Sequence, residues 1–386
     1  MPRARSIVVI GGGPAGLAVA RAYRHAGGDG ELTLVCKEAE LPYQRPPLTK
    51  GYLRGEVDRE ELALEPPEWF AEHRVTVHLG SPAGEIRPER GEIVLEDGRR
   101  LAADACVLAT GSRPLRPPIE GADDPDVLLM RSVADSDRLR GRDRAESAIV
   151  LGSGFIGCEA AASLASRGVA VTMLSAESAP QVERLGEAAG ERLATWLREA
   201  GVTLRLGVEV AAIEEARRVR LRDGQGVEAE LVLLAAGAAP DAALAGRAGL
   251  ELDDGAVPVD AEMRSVDPFM LAAGDVACAE NRAAGRRLRV EHWGDAIAQG
   301  EVAGRVLADS DAAWSEVPGF WSEIGSRTLK YAAWGDGFDD HRLVEHGDGA
   351  FTIWYTRERV AVGVLTHERD ADYERGRALI AHGGRP

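Results

Sequence analysis

The chain opens on an apolar run, Ser6 to Ile10, that shows no alternation of polar and apolar positions. Such a run suits a strand buried on both faces. It passes into GGGPAG (Gly11–Gly16) and then LAVARAYRHAG, which reads as a helix, before a second strand at Leu32–Cys36. The same order returns later, with a strand at Ala148–Leu151, GSGFIG (Gly152–Gly157), a helix from about Cys158 to Arg167 and a strand at Val169–Leu174. Strand, glycine turn, helix, strand is the order of parallel strands joined by helical crossovers. The fold class expected is α/β, with two Rossmann-like dinucleotide-binding domains. Three more apolar strands end on a glycine, in LVLLAAG (Gly237), FMLAAG (Gly274) and ACVLATGSRP, where Ala109, Thr110, Gly111 and Arg113 line the break. Over 182–200, Val182, Leu185, Ala189, Leu193, Trp196 and Leu197 recur at helical spacing and predict a core-facing stripe. From about 314 the pattern changes. A Trp-rich loop with Phe320 and Trp321 precedes short alternating strands near 327–334, 341–345, 350–357 and 360–366, and a helix closes the chain at 370–382. This predicts a small C-terminal α+β domain.

The glycine turns carry the first chemistry. In Gly11, Gly13 and Gly16 the first glycine permits the turn and the second lets backbone N–H groups reach a pyrophosphate. The third allows close helix–sheet packing. Pro14 and Ala15 complete that turn, and Gly152, Gly154 and Gly157, with Phe155 and Ile156, repeat it. Two such turns, 141 residues apart, predict two dinucleotides: a tightly held flavin and a nicotinamide that exchanges. Glu38, after LVCK, is the candidate acceptor for a ribose hydroxyl in the first module. The matching position in the second is close to Ser175, which neither clamps both ribose hydroxyls nor repels a 2′-phosphate, so NADH and NADPH both stay open. In LPYQRPPLTKGYL, Arg45 is expected toward phosphate and Lys50 near a reacting ring, with Glu159 a candidate partner of Lys50 where the modules meet. Asp275 follows a strand and suits a ribityl hydroxyl. Glu291, His292 and Trp293 begin a helix whose N-terminal amides suit a reduced, negatively charged flavin; Trp293 could pack near the ring, while His292 has no paired nucleophile.

Composition narrows the field. There are 46 basic and 63 acidic side chains, a net charge of -17, which argues against a nucleic-acid partner. Only Lys37, Lys50 and Lys330 are lysines, so a lysine here is chosen for its compact ammonium. No apolar run reaches about 18 residues, and the first strand follows the N-terminus with no separate secretory segment, so no membrane span is expected and a cytoplasmic enzyme is. Cys36, Cys106, Cys158 and Cys278 are far apart and form no CxxC or CxxxxC pair. No metal centre is expected, and electrons reaching a flavin here must leave directly rather than through a dithiol.

With GGGPAG, LPYQRPPLTKGYL, LATGSRP, LGSGFIGCEAA, FMLAAGDVA, VEHWGDAIAQG and VPGFWSEIG in view, the sequence resembles the FAD-dependent NAD(P)H–ferredoxin reductases that serve oxygenases. The resemblance implies an FAD domain of 1–113 with 241–313, an NAD(P) domain of 114–240 and a C-terminal domain of 314–386. It carries flavin-loop roles onto Arg45, Pro46 and Lys50, the second FAD aspartate onto Asp275, and tryptophans onto Trp293 and Trp321, the latter near the acceptor-docking face. It implies hydride transfer from NAD(P)H to FAD, then single electrons to an iron–sulfur ferredoxin that serves a cytochrome P450 or a dioxygenase. It tips the coenzyme modestly to NADH and implies a monomer or weak dimer. An NAD(P)H oxidase or redox-sensing effector, and an FAD-holding interaction protein without turnover, are the alternatives. An acidic ferredoxin needs a local positive patch. Arg286, Arg287 and Arg289 are the expected patch, ahead of the run Arg138, Arg140, Arg142 and Arg144.

Overall fold

A computed structural model describes residues 6–142 and 145–386, so Arg144 of the second arginine run lies outside the described residues. The first glycine module is a five-stranded parallel sheet. Its order is Met270–Ala272, Ala105–Leu108, Ser6–Ile10, Glu31–Val35, Val75–His78. Four of the five positions of its central strand are buried, which is why that strand carries no alternation. The second module repeats the plan in four parallel strands, Thr203–Arg205, Ala170–Leu174, Ser147–Leu151, Leu231–Leu234. Its helix starts at Phe155, three residues before the expected Cys158, because the helix begins directly on the glycine turn.

The duplication goes deeper than the glycine turns. Each module carries a three-stranded antiparallel meander, Ala83–Arg87, Glu92–Leu95, Arg100–Ala102 directly before Ala105–Leu108 in the first and Val210–Glu214, Arg218–Leu221, Gly226–Glu228 directly before Leu231–Leu234 in the second. The 182–200 stripe is two helices, Val182–Leu185 and Glu187–Glu199, broken at Gly186 with φ 79. Val182 is consequently only partly buried, while the other five positions form core.

Two features position the site. The chain passes between the modules through Ser112–Pro114 and Ala238–Pro240, which pair antiparallel as a short ribbon. The helices Pro14–His25 and Trp293–Leu307 touch backbone to side: a Cβ on Gly300 would lie 2.4 Å from the Ala15 carbonyl oxygen, and one on Gly304 2.4 Å from that of Val19. The helices therefore run parallel. Ala15 is the second residue of its helix and Gly300 the eighth of its own. The later helix thus overhangs the first by six residues, about 9 Å at 1.5 Å per residue.

The C-terminal unit is a five-stranded antiparallel sheet, ordered Gly319–Ile324, Arg327–Ala333, Val360–His367, Phe351–Arg357, Asp340–Glu345, with the helix Asp370–His382 packed on it. Phe320 and Trp321 sit on its first strand, not on the expected loop. The strand alternates, leaving Trp321 exposed and burying Ser322 and Ile324.

Candidate functional site

The first glycine turn has the shape a pyrophosphate needs. A Cβ on Gly16 would lie 2.0 Å from the Gly11 carbonyl oxygen, so the helix packs against the turn as closely as backbone allows. A Cβ on Gly13 would meet nothing within 4 Å; this open space faces a helix N-terminus with no acid in its first turn. Beside it runs a chain of charges. Arg45 pairs with Glu38 at 2.6 Å, and the Tyr43 hydroxyl donates to the same carboxylate at 2.5 Å. Burial pushes the Glu38 carboxyl up, but the Arg45 guanidinium and the Tyr43 hydroxyl outweigh it and hold the group below its ordinary value. Arg45 also donates to the Arg131 carbonyl at 2.8 Å, and Arg131 reaches Asp275 at 3.1 Å. Asp275 accepts from the Ser112 hydroxyl at 2.7 Å. Arg131, Tyr43 and Ser112 escape sequence reading. The capping box of Ser132 and Asp135 marks a helix start beside Arg131, but no local signal says what its guanidinium meets. An adenine dinucleotide with a long polar linker fits these residues: open space at the helix terminus, two cations and hydroxyl acceptors.

Lys50 and Glu159 meet as expected, at 2.7 Å, with only 8% and 4% of their side chains exposed. The carboxylate also accepts from Thr49 at 2.5 Å and from Ser322 at 2.6 Å. Three parts of the chain thus converge on one carboxylate: the proline loop, the helix of the second glycine turn and the first strand of the C-terminal sheet. Above them the exposed Trp321 ring lies 4.8 Å from the Lys50 ammonium. Thr49 and Ser322 were missed because their partner is over a hundred residues away.

His292 caps the overhanging helix, its Nδ1 3.0 Å from Asp295. Its ring packs 4.8 Å from Phe320, which also meets Phe155 at 4.7 Å. His292 Nε2 is buried without a partner, a polar atom left over for a bound group. Trp293, the first helical residue, is half-buried, and Glu291 is exposed. Gly111 and Gly237 are engaged in the crossing itself, through Asp241 N–H to Gly111 at 2.8 Å and Leu115 N–H to Gly237 at 2.9 Å. Thr110 donates to the Asp241 carbonyl and Arg113 stands exposed on the ribbon. At the second glycine turn Gly154 lies open, its would-be Cβ 3.6 Å from Gln181 Nε2, and Ile156 is exposed. Ser175 is not the bare hydroxyl expected, because the Glu177 carboxylate folds back onto its neighbour Ser153.

The expected positive patch changes. Arg286 pairs with Asp336 and Arg289 with Asp254. These ion pairs neutralise two of the three charges of the expected positive patch and leave Arg287 as its exposed cation. Arg142 likewise lies 3.7 Å from Asp126. All four cysteines are free and buried. Burial, with Glu38 nearby, pushes the Cys36 thiol up to about 12, and burial raises the other three as well. Because the thiolate is the nucleophile, native protein at pH 8 is expected to resist a thiol reagent that labels all four cysteines after unfolding. Rapid labelling of the native chain would contradict this. Among the described residues no cluster of three His, Cys, Asp or Glu side chains gathers as a metal site, and no helix is long and apolar enough to cross a membrane.

Comparison with known proteins gives concordant results. The profile of the pyridine nucleotide-disulphide oxidoreductase family matches residues 5–300. Rhodocoxin reductase of Rhodococcus erythropolis is 33% identical, over 97% of this chain and 89% of its own. The ferredoxin reductase component of a Cupriavidus chlorobenzene dioxygenase is 31% identical, over 98% of this chain and 92% of its own. The covalent putidaredoxin reductase–putidaredoxin complex superposes with a TM-score of 0.93 at 28% identity, covering 98% of this chain and 93% of that one.

Proposed function

The chain belongs to the pyridine nucleotide-disulphide oxidoreductase family, and from that premise and the site we propose how it acts as an FAD-dependent NAD(P)H–ferredoxin reductase of an oxygenase system. Bound FAD supplies the exchange between a hydride donor and a one-electron acceptor. The observation that carries the assignment of residues is the Glu159 junction, where one buried carboxylate ties the flavin loop, the coenzyme helix and the C-terminal strand together.

In this reading Gly11–Gly16 holds the FAD pyrophosphate, Glu38 takes a ribose hydroxyl, and Arg45 and Arg131 face phosphate. Asp275 takes a ribityl hydroxyl. Glu159 holds the Lys50 ammonium at the ring, and the overhanging helix begun by Trp293 aims its N-terminal amides there. His292 Nε2 offers a hydrogen bond, oriented by Asp295. Gly152–Gly157 receives the coenzyme, with NADH preferred. Trp321, 46% exposed over Lys50, marks the face on which an acidic iron–sulfur ferredoxin docks, and that ferredoxin feeds a cytochrome P450 or a dioxygenase. The FAD domain is 1–113 with 241–313, the NAD(P) domain 114–240 and the C-terminal domain 314–386. The enzyme works in the cytoplasm as a monomer or weak dimer.

The purified protein is expected to release one FAD per chain in acid. NADH should bleach it in a stopped-flow mixer, and a ferredoxin should restore its colour. Trp321→Ala is expected to slow the second step about tenfold or more while sparing the first. Recovery of FMN, or of no flavin from folded protein, would overturn the cofactor assignment. Rapid NADH consumption under oxygen that no ferredoxin accelerates would make the protein an oxidase.

A further inference from the structure

In a dinucleotide-binding module the strand after the glycine turn and helix commonly ends on an acid that accepts from the ribose. Here Ala170–Leu174 ends on Ser175 instead. That hydroxyl is buried, and its Oγ lies 2.7 Å from the Oγ of Ser153, the residue between the first two glycines of the turn. Two residues on, the chain supplies a carboxylate. Glu177 Oε2 accepts from Ser153 Oγ at 2.8 Å and from the Gln181 N–H at 3.3 Å, and Oε1 accepts from the Glu183 N–H at 3.2 Å. Gln181 adopts φ 59 and donates its own Nε2 to the Ser153 carbonyl at 3.3 Å. The Glu177 N–H meets Ser175 Oγ at 3.2 Å, so the two serines and the acid form one network at the glycine turn.

We propose that Glu177 selects the coenzyme, accepting from the adenosine 2′-hydroxyl of NADH and repelling the 2′-phosphate of NADPH. The inference rests on the reading of Gly152–Gly157 as the nicotinamide-coenzyme turn. Three donors hold the carboxylate in one orientation, so little freedom is left to lose on binding. An ionised carboxylate accepts about four hydrogen bonds, which leaves a place for a ribose hydroxyl. Ser153 and Ser175 are buried while Glu177 stays partly exposed, so the acid is the face the network offers to a ligand. Its partners are a hydroxyl and two backbone amides, with no cation among them. The neighbouring arginines are turned elsewhere. Arg205, whose carbonyl accepts from the Ser175 N–H, gives its guanidinium to Gln225. Arg184 lies 5.8 Å from the centre of the Phe320 ring. A 2′-phosphate placed here meets a fixed negative charge and nothing to neutralise it.

The test titrates NAD⁺ and NADP⁺ calorimetrically into the FAD-loaded wild type, Glu177→Gln and Glu177→Asp, with flavin absorbance and melting temperature as checks on folding. The wild type is expected to favour NAD⁺, and Glu177→Gln to narrow that preference about tenfold or more, chiefly by gaining NADP⁺. Glu177→Asp keeps the charge, so it should weaken NAD⁺ yet still exclude NADP⁺; it carries the comparison against wild type if the Gln variant does not fold. A wild type that favours NAD⁺ with the same ratio in Glu177→Gln overturns the role of Glu177 and leaves the coenzyme site standing. An Asp variant that admits NADP⁺ overturns it too. A wild type that favours NADP⁺ overturns the selection itself, and one that binds neither coenzyme overturns the reading of the second turn.

Discussion

Glu159→Leu is expected to destabilise the folded protein by about 3–5 kcal/mol, the cost of leaving a buried charge without its partner. Lys50 has 8% of its side chain exposed and its other acceptor is the Pro46 carbonyl at 3.1 Å, a dipole and not a counter-charge. Lys50→Met should cost a similar amount, since Thr49 and Ser322 supply only neutral hydroxyls to the stranded carboxylate. The double variant separates structure from chemistry. Replacing both charges by apolar side chains of similar volume is expected to recover most of the lost stability. It should not recover the rate at which NADH bleaches the flavin, expected to fall about a hundredfold when a preorganised charge is removed from the reacting region. Chemical denaturation and stopped-flow absorbance on the three variants decide the matter. A double variant that is both stable and fast would reduce the pair to a structural clasp.

Gly13→Ala and Gly154→Ala are expected to weaken the binding of one dinucleotide each. The alanine methyl at 13 enters empty space and that at 154 makes only an ordinary contact at 3.6 Å, so neither should disturb packing. Each methyl nevertheless stands where backbone must approach a pyrophosphate. Gly13→Ala should weaken FAD binding about tenfold or more, with the melting temperature of the flavin-free protein unchanged. Gly154→Ala should stay yellow and lose NADH binding by a similar factor. Gly16→Ala is the contrast: its methyl would lie 2.0 Å from a carbonyl oxygen, so it should lower the stability of the flavin-free protein as well. If Gly13→Ala holds FAD as tightly as the wild type, the first turn is not the pyrophosphate cradle.

Local signals made much of this legible in advance. Both glycine modules announce themselves within about thirty residues, because an apolar strand, a turn and a helix follow one another directly. The Lys50–Glu159 pair was legible because lysine is so scarce here. The meanders carry a fainter signal, the Asp97-Gly98 and Asp223-Gly224 pairs at their hairpin turns in GEIVLEDGRR and VRLRDGQG. The Trp321 strand reads as a loop from sequence because it is only six residues long and half exposed. Its two-residue turn at Gly325 and Ser326, between the paired Ile324 and Arg327, was the available clue. Arg131, Ser322 and Glu177 lay beyond such reasoning. Arg131 and Ser322 meet partners more than a hundred residues away, and Glu177 acts through a backward fold two residues past the usual place.

The short ribbon between the modules also bears on the order of folding. Ala105–Leu108 and Met270–Ala272 are neighbours in one sheet yet roughly 160 residues apart, and closing so long a loop is entropically expensive. If the intervening residues fold first, pairing of Ser112–Pro114 with Ala238–Pro240 brings the two ends together. The effective loop then falls below roughly 40 residues, and the closure cost drops by about 1 kcal/mol. The second sheet is therefore expected to form before Met270–Ala272 joins the edge of the first. Pulsed hydrogen exchange during refolding should protect the amides of Ile149–Leu151 before those of Cys106 and Ala273, which donate across the late pairing to Phe269 and Leu108, and the reverse order would exclude this route.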